Sequence, residues 1–283
     1  MDLKQVSHVK SEKTLLEELE HPFIVSYKGF FQDDKFTYFV TEYIACGEMF
    51  DLLKERYVIT DQETAFYAAQ VILTLQFLHS KEVVYRDLKP ENLMLCKNGF
   101  IKFIDFGLGK KLKDRRTYTL CGTPQYMAPE VIEGKGYGLS VDWWSLGILI
   151  YEMLTGRTPF DDADPYTVFK KIIQKKVHYP RWLKSSAKML LNGLLKKRPV
   201  ERLGVIQGGA ERVKQQVFFD DVNFRDILLQ TASVPEDPNA KKMPSPSKLS
   251  SSTLGSESDG VEISHFEQLT PSVPKRKDPF LKW

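Results

Sequence analysis

The stretch VVYRDLKPENLML, Val83–Leu95, sets an acid, a lysine and an asparagine at fixed offsets: Asp87, Lys89 and Asn92. An apolar run precedes them and another follows, so the three polar groups share one short loop between buried segments. Thirteen residues past Asn92, FIDFGLGK (103–110) puts Asp105 directly after an apolar strand and before Phe106-Gly107. An aspartate at a strand end beside an asparagine offers oxygen ligands to a hard divalent cation, and magnesium is the natural choice beside phosphates. A second aspartate can accept a proton from an attacking hydroxyl or orient it. Lys89 can then neutralise charge on a phosphoryl group in flight.

The rest of the chain bounds this reading. At 283 residues, 42% of them hydrophobic, it can bury one large core or two small ones. The formal net charge of +3 gives no global nucleic-acid or membrane signal, and no apolar run reaches the ~18 residues of a membrane span. The three cysteines, Cys46, Cys96 and Cys121, are odd in number and irregular in spacing. This argues against a disulfide framework or a zinc site and for a cytosolic or nuclear setting.

Helix formers fill LKQVSHVKSEKTLLEELE (3–20), which ends at His21-Pro22. FIVSYKGFFQ (23–32) and KFTYFVTEY (35–43) read as an antiparallel hairpin across Asp33-Asp34. Apolar residues recur at helical spacing over Glu63–His79, Val141–Leu154, Val168–Ile173 and Ala187–Leu195. Leu93–Cys96 and Ile101–Ile104 are short strands either side of Asn98-Gly99, a hairpin turn. From about residue 231 the composition turns Ser/Pro/Gly-rich, so that 231–283 reads as a tail without a core of its own.

YRDLKPEN (85–92), DFG (105–107) and APE (128–130), in this order and spacing, resemble the signature set of protein kinases. RTYTLCGTPQYMAPE (116–130), GYGLSVDWWSLGILIYEMLTGRTPF (136–160) and RLG with GGAERVKQQVFF (208–219) are similar to the AGC group of serine/threonine kinases. With GEMFDLL (47–53) and FYAAQVILTLQFLHS (66–80), the likeness is greatest to the cyclic-AMP-dependent protein kinase catalytic subunit, over about residues 3–225. The resemblance implies an α+β, two-lobe kinase fold: a partial small β lobe at 1–44, a mainly helical large lobe at 45–230 and an AGC-type tail at 231–283.

It also implies roles, position by position. Asp87 becomes the catalytic base, Lys89 the phosphate-contacting lysine, and Asn92 and Asp105 the magnesium ligands. For ATP, Thr41 is the gatekeeper, Glu42–Ile44 the hinge and Met94 the floor, with Glu48 and Glu12 beside the nucleotide. Thr119 is the activation-loop phosphosite, with His8, Arg86 and Lys110 as its cationic pocket. Glu48, Glu91 and Glu152 select arginine ahead of the phosphoacceptor, while Leu120, Pro124 and Met127 receive the residue after it. Gln125 stands where close relatives carry a glutamate, which removes one acidic contact. Leu16, Tyr27, Tyr85 and Phe106 form the stack between the lobes, and Glu130 and Arg202 the buried ion pair beneath the activation segment. Thr270 is a tail phosphosite, and Phe280 with Trp283 a terminal aromatic motif.

One part of the pattern is missing. No glycine-rich loop and no strand lysine precede Glu12, and GLGKK (107–111) belongs to the DFG segment. The expectation is therefore a small lobe cut to a hairpin and impaired transfer by this chain. Protein substrates with basic motifs, and a regulatory subunit or pseudosubstrate inhibitor, are the implied partners. Two alternatives stay open: a non-catalytic, pseudokinase-like module that binds such a partner, and a cyclic-GMP-dependent kinase catalytic region.

Overall fold

The computed structural model describes residues 3–33, 36–112 and 114–235, with residues 3–8 described by backbone alone. Thr270, Phe280 and Trp283, and the tail expectations attached to them, lie outside the described residues, as does the side chain of His8.

Helix α1 (Leu3–Glu18) leads into a hairpin of β1 (Tyr27–Gln32) and β2 (Thr37–Thr41), with Phe30 opposite Phe39. Next come α2 (Met49–Arg56), the long α3 (Asp61–Ser80) and the two-residue β3 (Val83–Val84). Strands β4 (Leu93–Leu95) and β5 (Ile101–Phe103) form a second hairpin, and β6 (Lys110–Lys111) pairs back with β3. The remainder is helical: α4 (Pro129–Ile132), α5 (Ser140–Thr155), α6 (Pro165–Gln174), α7 (Ser185–Leu194), α8 (Gly209–Lys214) and α9 (Phe224–Leu228). This is the mixed fold expected, with few strands in the small lobe and a helical large lobe.

Two helices carry the large lobe because they are apolar on every side. In α3 the residues from Glu63 to Leu75 are all buried, and in α5 nearly every residue from Val141 to Thr155 is. A helix apolar all round belongs inside a large domain. Thr60 starts α3 with a capping box: its Oγ1 accepts from Glu63 N at 3.2 Å, and Glu63 Oε2 accepts from Thr60 N at 3.2 Å. Among the described residues, no helix is long and apolar enough to cross a membrane.

One sequence expectation is redrawn. Phe23–Val25 does not belong to the first hairpin, whose pairing starts at Ser26, with Ser26 O accepting from Glu42 N at 2.9 Å. Ile24 bridges Phe103 in parallel, Val25 N donates to Phe103 O at 2.9 Å, and Phe103 N donates to Phe23 O at 2.9 Å. Phe23, Ile24 and Val25 are consecutive and all buried, so they cannot alternate between a core face and a solvent face. They add to β5, inside the core, and Phe23 stacks on Phe100 with ring centroids 6.1 Å apart.

Candidate functional site

The loop from Tyr85 to Asn92 is hung from α5. Asp142, fully buried, accepts Tyr85 N at 3.0 Å and Arg86 N at 2.9 Å, and His79 Nε2 lies 2.8 Å from it. These bonds hold Arg86 at φ +71°, a left-handed conformation that costs a non-glycine residue energy. The opposite wall is the segment before α4. Gly122 (φ +107°) lets it approach so closely that a Cβ there would stand 2.8 Å from Arg86 O.

Between these walls Asp87 is nearly buried, at 8% exposure, and every group around its carboxylate is fixed. Asn92 Nδ2 donates to Asp87 Oδ2 at 2.9 Å and to Asp87 O at 2.8 Å. Lys89 Nζ sits 3.0 Å from Oδ2, Thr123 Oγ1 donates to Oδ1 at 3.0 Å, and Lys89 Nζ reaches Thr123 Oγ1 at 3.1 Å. The carboxylate is thereby aimed by three side-chain donors, one of them a cation.

Asp105 follows β5 and is exposed; its Oδ1 accepts from Gly107 N at 2.8 Å. Glu12 reaches the same spot from α1: a Cβ on Gly107 would lie 3.2 Å from Asp105 Oδ1 and 3.6 Å from Glu12 Oε2. Burial, and then the Asp105 charge, push the Glu12 carboxyl above the usual range. Below it, Phe106 and Tyr85 are buried edge to face at 5.3 Å, with Leu16 buried as well.

The hinge residues occupy the end of β2. Thr41 is exposed there and pairs with Tyr27. The Glu42 side chain is engaged in structure: it accepts from Ser26 N at 2.7 Å and forms an ion pair with Lys102 on β5, which holds its carboxyl low against the cost of burial. Its backbone N–H is engaged too, donating to Ser26 O at 2.9 Å. Ile44 is half-buried, and Met94 on β4 bridges Glu48.

The acidic residues expected to read arginine come together. Glu48 is pushed up by burial and then by Asp51 and Glu91; Glu152 is pushed up by burial and then by Glu91 and Asp161, despite the hydrogen bond from Tyr126 OH. Because the Glu91 charge acts on both, the three carboxylates share one electrostatic neighbourhood. The apolar trio is less compact: Leu120 is 62% exposed, Pro124 half-buried and Met127 buried beneath Gly122.

At the expected phosphosite, Thr119 is exposed, and its carbonyl accepts from Tyr137 OH at 2.6 Å. Arg86 donates to Leu108 O at 2.5 Å and to Tyr137 OH at 3.4 Å. Lys110 donates to Thr117 Oγ1 at 3.0 Å. Tyr137 and Thr117 also pair through their backbones, so both cations lie against the threonine-bearing strand. Beneath it Arg202, fully buried, clamps Glu130 through two bonds of 2.7 and 2.9 Å.

Sequence reasoning passed over Thr123 and Asp142. Both stand inside quoted motifs, yet an unpaired threonine and a helical aspartate carry no signal of their partners.

Comparison with known proteins agrees with this geometry. The protein kinase domain family matches residues 1–219. The chain is 44% identical over 233 residues to a Drosophila melanogaster "cAMP-dependent protein kinase catalytic subunit 3", covering 82% of this chain and 40% of that protein. It is 46% identical over 227 residues to a Dictyostelium discoideum "cAMP-dependent protein kinase catalytic subunit", covering 80% and 35%. To the Homo sapiens "cAMP-dependent protein kinase catalytic subunit PRKX" it is 46% identical over 225 residues, covering 80% and 63%. It thus spans between about a third and two thirds of the length of these relatives. A match that runs from the first residue to Phe219, over the loop that holds Asp87 and the strand end that holds Asp105, makes the chain a member of the protein kinase domain family.

Proposed function

We propose that the protein transfers the γ-phosphoryl group of ATP to serine or threonine hydroxyls that follow arginine in protein substrates. The observation that supports this most is the clamping of Asp87 by Asn92, Lys89 and Thr123 at 2.9–3.0 Å. In that role Asp87 accepts the hydrogen bond of the incoming hydroxyl and takes its proton as the phosphoryl group arrives. Lys89, already 3.0 Å from Asp87, neutralises charge on the transferred group.

The residues present fit magnesium. Asn92 gives its amide nitrogen to Asp87, which leaves an oxygen as its remaining polar atom, and Asp105 presents an exposed carboxylate; both are hard donors. Bound there, the cation offsets charge on the phosphates. The hinge backbone at Glu42–Ile44, with Met94, takes the adenine. Glu48, Glu91 and Glu152 take substrate arginines, and the same groove suits a regulatory subunit or pseudosubstrate inhibitor. Thr119 is the regulatory phosphosite, where a phosphate would draw Arg86 and Lys110 from their present partners, with His8 as the third cation.

Residues 1–283 hold no glycine-rich loop or strand lysine, and the charge beside Glu12 that raises its carboxyl, after burial, is that of Asp105. One lost preorganised contact to transferring charge costs ~10²–10³ in rate, so residues 1–283 should turn over slowly. The test is transfer from magnesium-ATP to an Arg-Arg-x-Ser peptide by residues 1–283, with Asp87→Asn as control. Transfer that falls by ~10² or more in Asp87→Asn supports the proposal. Peptide binding that Glu152→Ala weakens, with no transfer, would overturn it in favour of a binding module.

A further inference from the structure

Cys46 and Cys96 lie fifty residues apart, and nothing in their spacing pairs them. The fold does. Beyond the hinge the chain runs antiparallel to β4: Glu48 bridges Met94, and Leu95 N donates to Gly47 O at 2.9 Å. One step further along each segment stand Cys46 and Cys96, so the two cysteines flank the Gly47–Leu95 hydrogen bond. Gly47 is left-handed there (φ +85°) and turns the chain at Cys46, so the cysteines lie at the end of this short pairing. A disulfide needs Cα atoms roughly 4.4–6.8 Å apart, a reach open to residues that flank one backbone hydrogen bond.

Three further observations bear on this place. All three cysteines of the chain are free thiols, and Cys46 and Cys96 are both half-buried. The charge of Cys46 acts on the Cys96 thiol, so the two sulfurs are electrostatic neighbours. The Cys96 thiol also feels the Lys102 ammonium and the Glu42 carboxylate, the ion pair that ties the hinge to β5. Two thiols and a cation therefore meet where the hinge crosses the β4–β5 hairpin.

We propose that Cys46 and Cys96 are a reversible redox pair, oxidised by a hydroperoxide to an intramolecular disulfide that staples the hinge to β4. The Cys46 thiolate attacks the terminal oxygen of the peroxide. An S–O bond forms, the O–O bond breaks, and the other oxygen leaves as alcohol or water after taking a proton. The Cys96 thiolate then attacks the Cys46 sulfur, the S–S bond forms, and the hydroxyl leaves as water. Two thiols give up two protons and two electrons, and the peroxide is reduced by the same two electrons. Burial pushes the Cys96 thiol up, which suits a resolving thiol shielded from the oxidant, while Lys102 favours its thiolate at the moment of attack. A small dithiol reverses the step by exchange.

The bond would close a loop that includes Glu48 and Met94. Any effect on nucleotide binding rests on the proposed kinase function, whereas formation of the bond does not. The test uses the unsubstituted 283-residue chain. It is treated with hydrogen peroxide at neutral pH, its free thiols are alkylated, and it is digested without reductant for mass spectrometry. The expected result is a peptide pair linked through Cys46 and Cys96, lighter by two hydrogens than its parts and absent after dithiothreitol. Alkylation of both cysteines, sulfinic acid on either without the link, or a link only to Cys121 or between molecules would overturn the proposal.

Discussion

Arg202 has no exposure to solvent, and all of its charge is answered by neighbours: Glu130 twice, Ser140 O at 2.8 Å, Lys196 O at 3.0 Å and the Trp144 ring at 5.3 Å. Removing one partner of such a pair strands the other charge in the core, so Glu130→Ala should lower unfolding free energy by ~3–5 kcal/mol. Replacing both, as Glu130→Leu with Arg202→Met, should cost less than either single change, and denaturant titration of the three variants checks this. His21 makes a second prediction at this scale. Stacked on Phe77 at 4.9 Å and half-buried, it has its pKa lowered by desolvation to about 4 from 6.5. The unfolded chain then binds the extra proton first. Stability from the neutral ring is complete above pH 6.5 and drains away as the pH falls toward 4, by on the order of 2 kcal/mol after allowing for the solvent that still reaches it. His21→Phe should flatten unfolding free energy against pH across that window. Both environments were closed to the sequence in different ways: Glu130 and Arg202 were found through a motif, while His21 looked only like the end of a helix.

Helix α3 shows how far an element can be read without its surroundings. The apolar spacing from Glu63 to His79 located it, because a wholly buried helix is rich in apolar residues whatever packs on it. Its start was missed by two residues, since Thr60 announces a cap only once Glu63 is seen to answer it. Thr60→Ala should lower stability by ~1 kcal/mol and Thr60→Asn should restore most of it, measured as shifts in the denaturation midpoint. A helix that relies wholly on its buried faces would be indifferent to both changes. Short elements were the least legible. Strands β3 and β6, two residues each, exist only because Val83–Val84 and Lys110–Lys111 meet across 26 residues of chain, and no local pattern of two residues carries that. The same limit applies to Phe23–Val25. Its apolar run was seen, but whether it extended the hairpin or entered the core depended on β5, 78 residues away.

At the scale of the molecule, charge is unevenly placed rather than large. Lysine and arginine exceed aspartate and glutamate by three, which by itself would repel a basic peptide. Yet burial, and after it neighbouring acids, raise the Glu48 and Glu152 carboxyls, and Glu91 acts on both. The local field of that groove, and not the net charge, should govern capture of an arginine-bearing substrate. Two consequences separate the possibilities. Salt screens partly exposed charges within a Debye length of ~10 Å at 0.1 M, so KM for an Arg-Arg-x-Ser peptide should climb with ionic strength while KM for its Ala-Ala counterpart stays level. The pH dependence has a definite sign. In the proposed role Glu152 must be ionised to hold arginine, and burial followed by Glu91 and Asp161 raises its pKa from 4.5. As pH falls it therefore protonates earlier than an ordinary glutamate, and KM for the Arg-Arg peptide should rise at a pH where exposed carboxylates are still charged. Glu152→Gln should raise KM at neutral pH and remove most of that acid-side rise together with part of the salt dependence. Equal salt slopes for the two peptides would mean that the acidic groove does not read arginine, whatever the chemistry at Asp87.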